Sequence, residues 1–174
     1  HDGPEIVIVV THTAHGNLEA WVMGGNRDRI LRRLMKADRF RRFRACYPVI
    51  TGSSGECEIF MHSKLLIVDD RFLRIGSSNL NRRSMGLDME CDLSIEATDA
   101  ETEGRIARIR ARLLGEHLDA APQAVHTAFV EEGSLIRAID RLNGKKRRLR
   151  RYEKLPKRWK TILAVGSSIL DPRV

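Results

Sequence analysis

Between residues 62 and 90 the sequence reads HSKLLIVDDRFLRIGSSNLNRRSMGLDME, and the side-chain types and gaps in it suit chemistry on a phosphate ester. A phosphodiester is anionic and shielded, and its alkoxide leaves poorly. Attack on it calls for a strong nucleophile, a proton donor for the departing oxygen, and cations or amides around the phosphoryl oxygens. His62 can be nucleophile or acid, because imidazole titrates near neutrality. Lys64 brings positive charge, Asn79 brings a neutral donor, and Ser77 is a weaker candidate contact. A carboxylate on the second ring nitrogen would fix the tautomer of His62 and stabilise its protonated form.

The elements around these residues explain how they could meet. The run Leu65-Leu66-Ile67-Val68 is apolar and branched, and it reads as a short buried strand. Side chains alternate along a strand, so His62 and Lys64 share a face about 7 Å apart. Asp69 has the opposite parity and is expected to be structural. Asp69-Asp70 reads as a tight turn and Phe72-Leu73-Arg74-Ile75 as the returning strand. The Gly76-Ser77-Ser78-Asn79 loop then falls beside the start of the first strand, and Glu90 to Ile95 reads as a further strand.

The pattern H-x-K-x4-D-x6-G-S-x-N is complete, and treating each position as one in twenty it arises by chance about once in 10⁵ to 10⁶ chains of this length. It resembles the phospholipase D superfamily, whose HKD motif it matches at His62, Lys64 and Asp69, with Gly76 as a further structural position. The next residues, Leu80-Asn81-Arg82-Arg83-Ser84-Met85, resemble phospholipase D proper more than the cardiolipin synthase or small-nuclease branches. The resemblance implies an α/β sandwich with a mixed sheet flanked by helices. It implies a metal-free, cofactor-free site built from two motifs. One histidine would form a phosphohistidine, and the other would protonate the leaving alcohol and then activate water or an acceptor alcohol. It also implies that Lys64 and Asn79 bind phosphate and that Glu90 orients His62.

Only one motif is present; Thr11-His12-Thr13 lacks the lysine and everything downstream. The second half of the site is therefore expected from a missing N-terminal part of the same protein or from a homodimer partner. The style of the motif resembles a C-terminal copy, as in bacterial phospholipase D-like proteins, which favours His62 as general acid/base. The expected function is hydrolysis or transphosphatidylation of phospholipid. The alternatives are a metal-independent nuclease-type phosphodiesterase working as a homodimer, and a non-catalytic lobe that binds phosphate ligands or a partner.

The remaining chain, 174 residues with 42% hydrophobic content, is enough for one domain with a core. It begins at His1, followed closely by a strand over 5–10, and this reads as a piece excised from a longer protein. Residues 11–16 form a loop with Asn17 as a helix cap; His12 and His15 are read as polar loop residues rather than metal ligands. A helix over 18–40, interrupted at Gly24-Gly25, turns Ile30, Leu31, Leu34, Met35 and Phe40 to the core and a basic face to solvent. A strand over 44–50 and a loop over 51–55 follow. Helices are predicted over 101–117, with an apolar stripe of Ile106, Ile109, Leu113 and Leu114, after Pro122, and over 134–142.

Cys46, Cys57 and Cys91 show no ligand or pairing spacing and read as buried free thiols in a reducing, cytoplasmic setting. From Arg141 to Lys160 there are eleven Lys or Arg and one acid, a net of +10 against +8 for the chain. The chain thus divides into a domain over 1–140 and a basic tail or linker over 141–174. Residues 141–160 are expected to be solvated, or to meet an anionic membrane surface or nucleic acid, with Trp159 and Ile162-Leu163 as an interfacial anchor that favours the membrane.

Overall fold

In the computed structural model the described residues are 3–12 and 18–152, with only the backbone described for 18–26 and 82–83. His15, Asn17, Trp159 and Ile162-Leu163 lie outside the described residues.

The strand β2 (Phe43–Gly52) organises the larger sheet. Cys46 pairs with both Val9 of β1 (Ile6–Val9) and Arg151 of β7 (Arg147–Arg151), and Val49 pairs with both Glu58 of β3 (Gly55–Glu58) and Arg148. A residue paired on both sides sits between its partners, so β7 lines one edge of β2 while β1 and β3 share the other. The β1–β2 pairing is parallel and the other two are antiparallel, which makes the sheet mixed.

Strand alternation gives β2 two apolar faces, as a sheet covered on both sides requires. On one face Ala45 and Tyr152 pack with Leu31 and Met35 of α1 (Leu18–Ala37). On the other, Cys46 and Leu149 pack with Ala111, Leu114 and Leu118 of α3 (Ala100–Leu118), Val125 of α4 (Pro122–Glu132) and Ile139 of α5 (Leu135–Leu142). The result is the α/β sandwich, a mixed sheet flanked by helices, that the resemblance implies.

Local chemistry ends these helices where they end. Asp99 caps α3 by accepting from Thr102 N–H, and Asp119 closes it in the left-handed region at φ 56°. Pro122 opens α4 and Gly133 closes it at φ 57°. Ser134 caps α5, and the Glu5 carboxylate accepts from Ser134 Oγ and Ile136 N–H, tying the approach to β1 to that helix.

Several expectations are corrected. Helix α1 runs unbroken through Gly24-Gly25. Leu31 is buried there, but Ile30 and Leu34 are exposed, because the sheet covers only a narrow stripe of the helix; α1 ends at Ala37, so Phe40 lies beyond it and is exposed. The basic tail is not separate from the fold up to Arg151, and the boundary at 140 falls inside α5. Arg147–Arg151 joins the sheet because Leu149, 2% exposed, plugs the core while Arg148 and Arg150 both reach Glu56 on β3. Cys46 is buried, which pushes its thiol up to about 11, but Cys57 and Cys91 are exposed. Among the described residues no helix is long and apolar enough to cross a membrane.

A second sheet, β4 (Lys64–Val68), β5 (Phe72–Gly76) and β6 (Asp92–Glu96), is an antiparallel meander, with the short helix α2 (Arg82–Gly86) in the connection from β5 to β6. Asp69 and Asp70, at φ 50° and 55°, make its first turn, closed by Arg71 N–H to Val68 C=O at 2.9 Å. Arg110 of α3 anchors that turn. Its guanidinium donates to both oxygens of Asp70 at 2.7 and 2.6 Å and lies 4.1 Å from the centre of the Phe129 ring. This buried arginine displaces Ile109 and Leu113 of the predicted stripe, which are exposed. Asp70→Asn leaves a nearly buried cation underpaired and is expected to cost on the order of 3 kcal/mol in urea unfolding. An unchanged midpoint would show that the pair does not hold the hairpin to the helix.

Candidate functional site

The register of the meander assembles the motif. Lys64 pairs with Gly76, and Gly76 pairs with Asp92. The start of β4, the end of β5 and the start of β6 therefore lie side by side. Residues 62–64, 76–79 and 90–92 meet at this one end because two reversals of chain return there.

His62 is exposed just before β4 and stacks on Phe60, with ring centres 5.9 Å apart. Lys64 is half-buried. Its Nζ lies 3.0 Å from His62 Nε2 and 3.2 Å from Nδ1, and donates to the His62 carbonyl at 2.7 Å. Asn79 is exposed at the same end.

Glu90 is placed differently from the sequence expectation. It precedes β6 rather than lying on it, and it accepts from Ser77 Oγ at 2.6 Å. Ser77 Oγ also accepts from Cys91 N–H at 3.0 Å, and Ser77 N–H donates to the Cys91 carbonyl at 3.1 Å. Ser77 and Glu90 thus form a brace across the strand ends; among the described residues the hydrogen bonds of His62 are with Lys64. Asp69 sits in the left-handed turn at the far end of the hairpin, where an aspartate tolerates positive φ. Strand β4 is also less covered than its apolar run predicts. Leu65, Leu66 and Val68 are exposed, because Ile106 of α3 packs only on the Ile67–Leu73 row next to the turn.

The glycine has a steric reason. A Cβ on Gly76 would lie 2.6 Å from the Asp92 Cα, and closer still to Asp92 Oδ1 and the Cys91 carbonyl oxygen. Asp92 folds over this gap to reach Ser78 Oγ, Ser78 N–H at 3.2 Å and Arg74 Nη2 at 2.7 Å. The Ser78 hydroxyl, with Arg74, holds the Asp92 carboxyl down at about 2. Sequence reasoning missed Asp92, Ser78 and Arg74, because the strand register that sets Asp92 opposite Gly76 is fixed only when β5 and β6 pair. A folded-state value below the unfolded one stabilises the fold above about pH 4, and that contribution fades as pH falls through about 2. Wild type is therefore expected to lose more stability than Asp92→Asn between pH 4 and 2. Parallel losses in acid-unfolding curves of the two would refute this.

A family model described as "Cardiolipin synthase, PLD-like domain" matches residues 6–109, which takes in β1 through the meander and into α3. The chain belongs to the phospholipase D superfamily. Within that superfamily it is similar to phospholipase D of Phytophthora infestans, 30% identical over 89 residues, which are 44% of this chain and 5% of that protein. It is similar to phospholipase D alpha 2 of Oryza sativa subsp. japonica, 36% identical over 93 residues, or 49% of this chain and 11% of the relative. Phospholipase D alpha 3 of Arabidopsis thaliana is 35% identical over 83 residues, 42% of this chain and 10% of its own length. The chain thus spans only a small part of these relatives. The phospholipase D-like α/β fold accounts for the sandwich and for the meander that carries His62.

Proposed function

We propose that this chain is one motif-bearing lobe of a phospholipase D-like phosphodiesterase acting on phospholipid. The observation that carries the reading is the convergence of His62, Lys64 and Asn79 at one end of a single meander. In the reaction a histidine ring nitrogen bonds to phosphorus and the bond from phosphorus to the alcohol oxygen breaks. The opposing histidine gives that oxygen its proton. The same histidine then takes a proton from water or an acceptor alcohol, whose oxygen bonds to phosphorus as the phosphorus–nitrogen bond breaks and frees the first histidine. Water yields hydrolysis, and an alcohol yields transphosphatidylation. His62 is assigned the acid/base role, Lys64 and Asn79 the phosphoryl oxygens. Charge is carried by side chains, so the scheme uses no metal.

The second histidine comes from another lobe. Leu65, Ile75 and Leu93 form a cross-strand row on the meander and are 38%, 49% and 61% exposed, beside the motif. An apolar sheet face next to a polar site supports a partner lobe that covers it. The names of the relatives support a phospholipid substrate. Contact with anionic lipid through residues 141–160 is a weaker part of the proposal, because Arg148 and Arg150 share Glu56 and Arg141 pairs with Glu131.

The test is solution mass by light scattering on a sample assayed with phosphatidylcholine, a chromogenic phosphodiester and DNA, with EDTA present. A His62-dependent dimer active on phosphatidylcholine supports two half-sites in one homodimer. An inactive monomer that becomes active within the longer protein supports one lobe of a two-motif enzyme. Cleavage confined to DNA favours the nuclease alternative, and inactivity in every form favours a binding lobe.

A further inference from the structure

The segment that delivers His62 is held by two residues outside the motif. Thr11 Oγ1 accepts from Met61 N–H at 2.9 Å and donates to the Met61 carbonyl at 3.1 Å. One residue on, His12 Nδ1 lies 2.7 Å from Glu58 Oε1, four residues before His62. Residues 58–62 are therefore fastened at two points to residues 11–12, which are fifty positions away at Thr11.

Residues 11–12 are themselves held from three directions. Arg27 of α1 donates to the carbonyls of Thr11 and, at 3.0 Å, of His12. The Tyr152 hydroxyl donates to the Thr11 carbonyl at 2.9 Å. The His12 ring stacks on Tyr47 of β2 with centres 4.3 Å apart and tilts against Tyr152 at 5.2 Å. Tyr152 is 7% exposed and follows β7, so the anchor belongs to the core of the larger sheet.

We infer that Thr11 is a positioning residue for His62, its hydroxyl locking the Met61 peptide so that the imidazole stands at a fixed place relative to the rigid sheet. The larger sheet and the meander are separate ladders, and the chain passes from one to the other at residues 59–63. An exposed histidine on such a crossing would swing with its peptide. Two hydrogen bonds to one residue hold Met61 at both its N–H and its carbonyl, and reaction rates fall steeply when a reacting group is displaced by about 1 Å. This inference rests on the reading of His62 as a catalytic residue.

Thr11→Val removes the hydroxyl at nearly constant volume, and Thr11→Ser keeps it. In the complete protein Thr11→Val is expected to lower kcat by about 10- to 100-fold with KM within about 3-fold, and Thr11→Ser to restore most of kcat. In this chain, Met61 amide exchange and the His62 imidazole resonances read the same contact without turnover. Both should change in Thr11→Val and stay near wild type in Thr11→Ser. A Thr11→Val protein with wild-type kcat, or with unmoved His62 resonances, overturns the inference. Displaced resonances in a chain whose complete protein shows no activity overturn the catalytic reading and leave the positioning intact. If valine prevents folding, Thr11→Ala removes the same hydroxyl and is judged by the same criteria.

Discussion

With asparagine in place of His62, the complete protein is expected to lose turnover by at least about 10³-fold while its melting temperature stays close to that of wild type. Loss of a catalytic imidazole removes either the phosphorus-bound nucleophile or the acid that protonates the leaving oxygen. General acid–base groups alone contribute about 10²–10⁴-fold. The stability expectation is independent of the mechanism. His62 is exposed, its hydrogen bonds among the described residues are to Lys64, and its ring meets Phe60, itself 63% exposed. Such a side chain contributes little to folding. Steady-state kinetics with a chromogenic phosphodiester and a thermal melt on the same sample test both halves. Residual turnover above about a tenth of wild type removes His62 from the mechanism. A melt lowered as far as the activity would instead make the loss a folding defect.

Gly76→Ala is expected to be the most damaging small substitution in the motif, destabilising by about 3 kcal/mol or more. The added methyl would meet the Asp92 carboxylate, the Asp92 Cα and the Cys91 carbonyl, all closer than real Cβ atoms come. Two of these three contacts are to backbone atoms, so relief requires β5 and β6 to part. Parting also loosens the Ser77–Glu90 brace, so activity should fall along with stability. Gly86→Ala is the control, since nothing lies within 4 Å of its Cβ position. Urea denaturation of both variants decides the point. Equal, small shifts in midpoint would mean that the strands separate at little cost and that the glycine serves some purpose other than close approach.

How much of this was legible beforehand depends on the range of the interactions concerned. The hairpin was readable because its determinants are local: a branched apolar run, two aspartates suited to positive φ, and a returning apolar run. The gaps between His62, Lys64, Asp69, Gly76 and Asn79 reported a strand, a turn and a loop, and the structure has those elements in that order. The α/β sandwich followed from the resemblance that this motif carries, and the long helices from apolar periodicity, which needs no partner to be seen.

Other features depended on contacts that no local pattern encodes. Strand β7 reads as a solvated basic run because four of its five residues are arginine. Only the place of Leu149 in the core and of Glu56 across the sheet makes it a strand. Arg110 has the charge of a surface residue and takes a core position because Asp70, forty residues earlier, is turned toward it. Glu90 was assigned to His62 by motif order, whereas the strand register gives its carboxylate to Ser77. Thr11 lies in a segment without a motif and matters through Met61, which only folding brings near. The sequence by itself determined the chemistry at hand, an imidazole, an ammonium and an amide at hairpin spacing, because side-chain type and local backbone preference are properties of neighbouring residues. The tertiary structure alone decided what holds them in place, because hydrogen bonds and steric gaps between distant segments exist only after strands pair and helices cover the sheet.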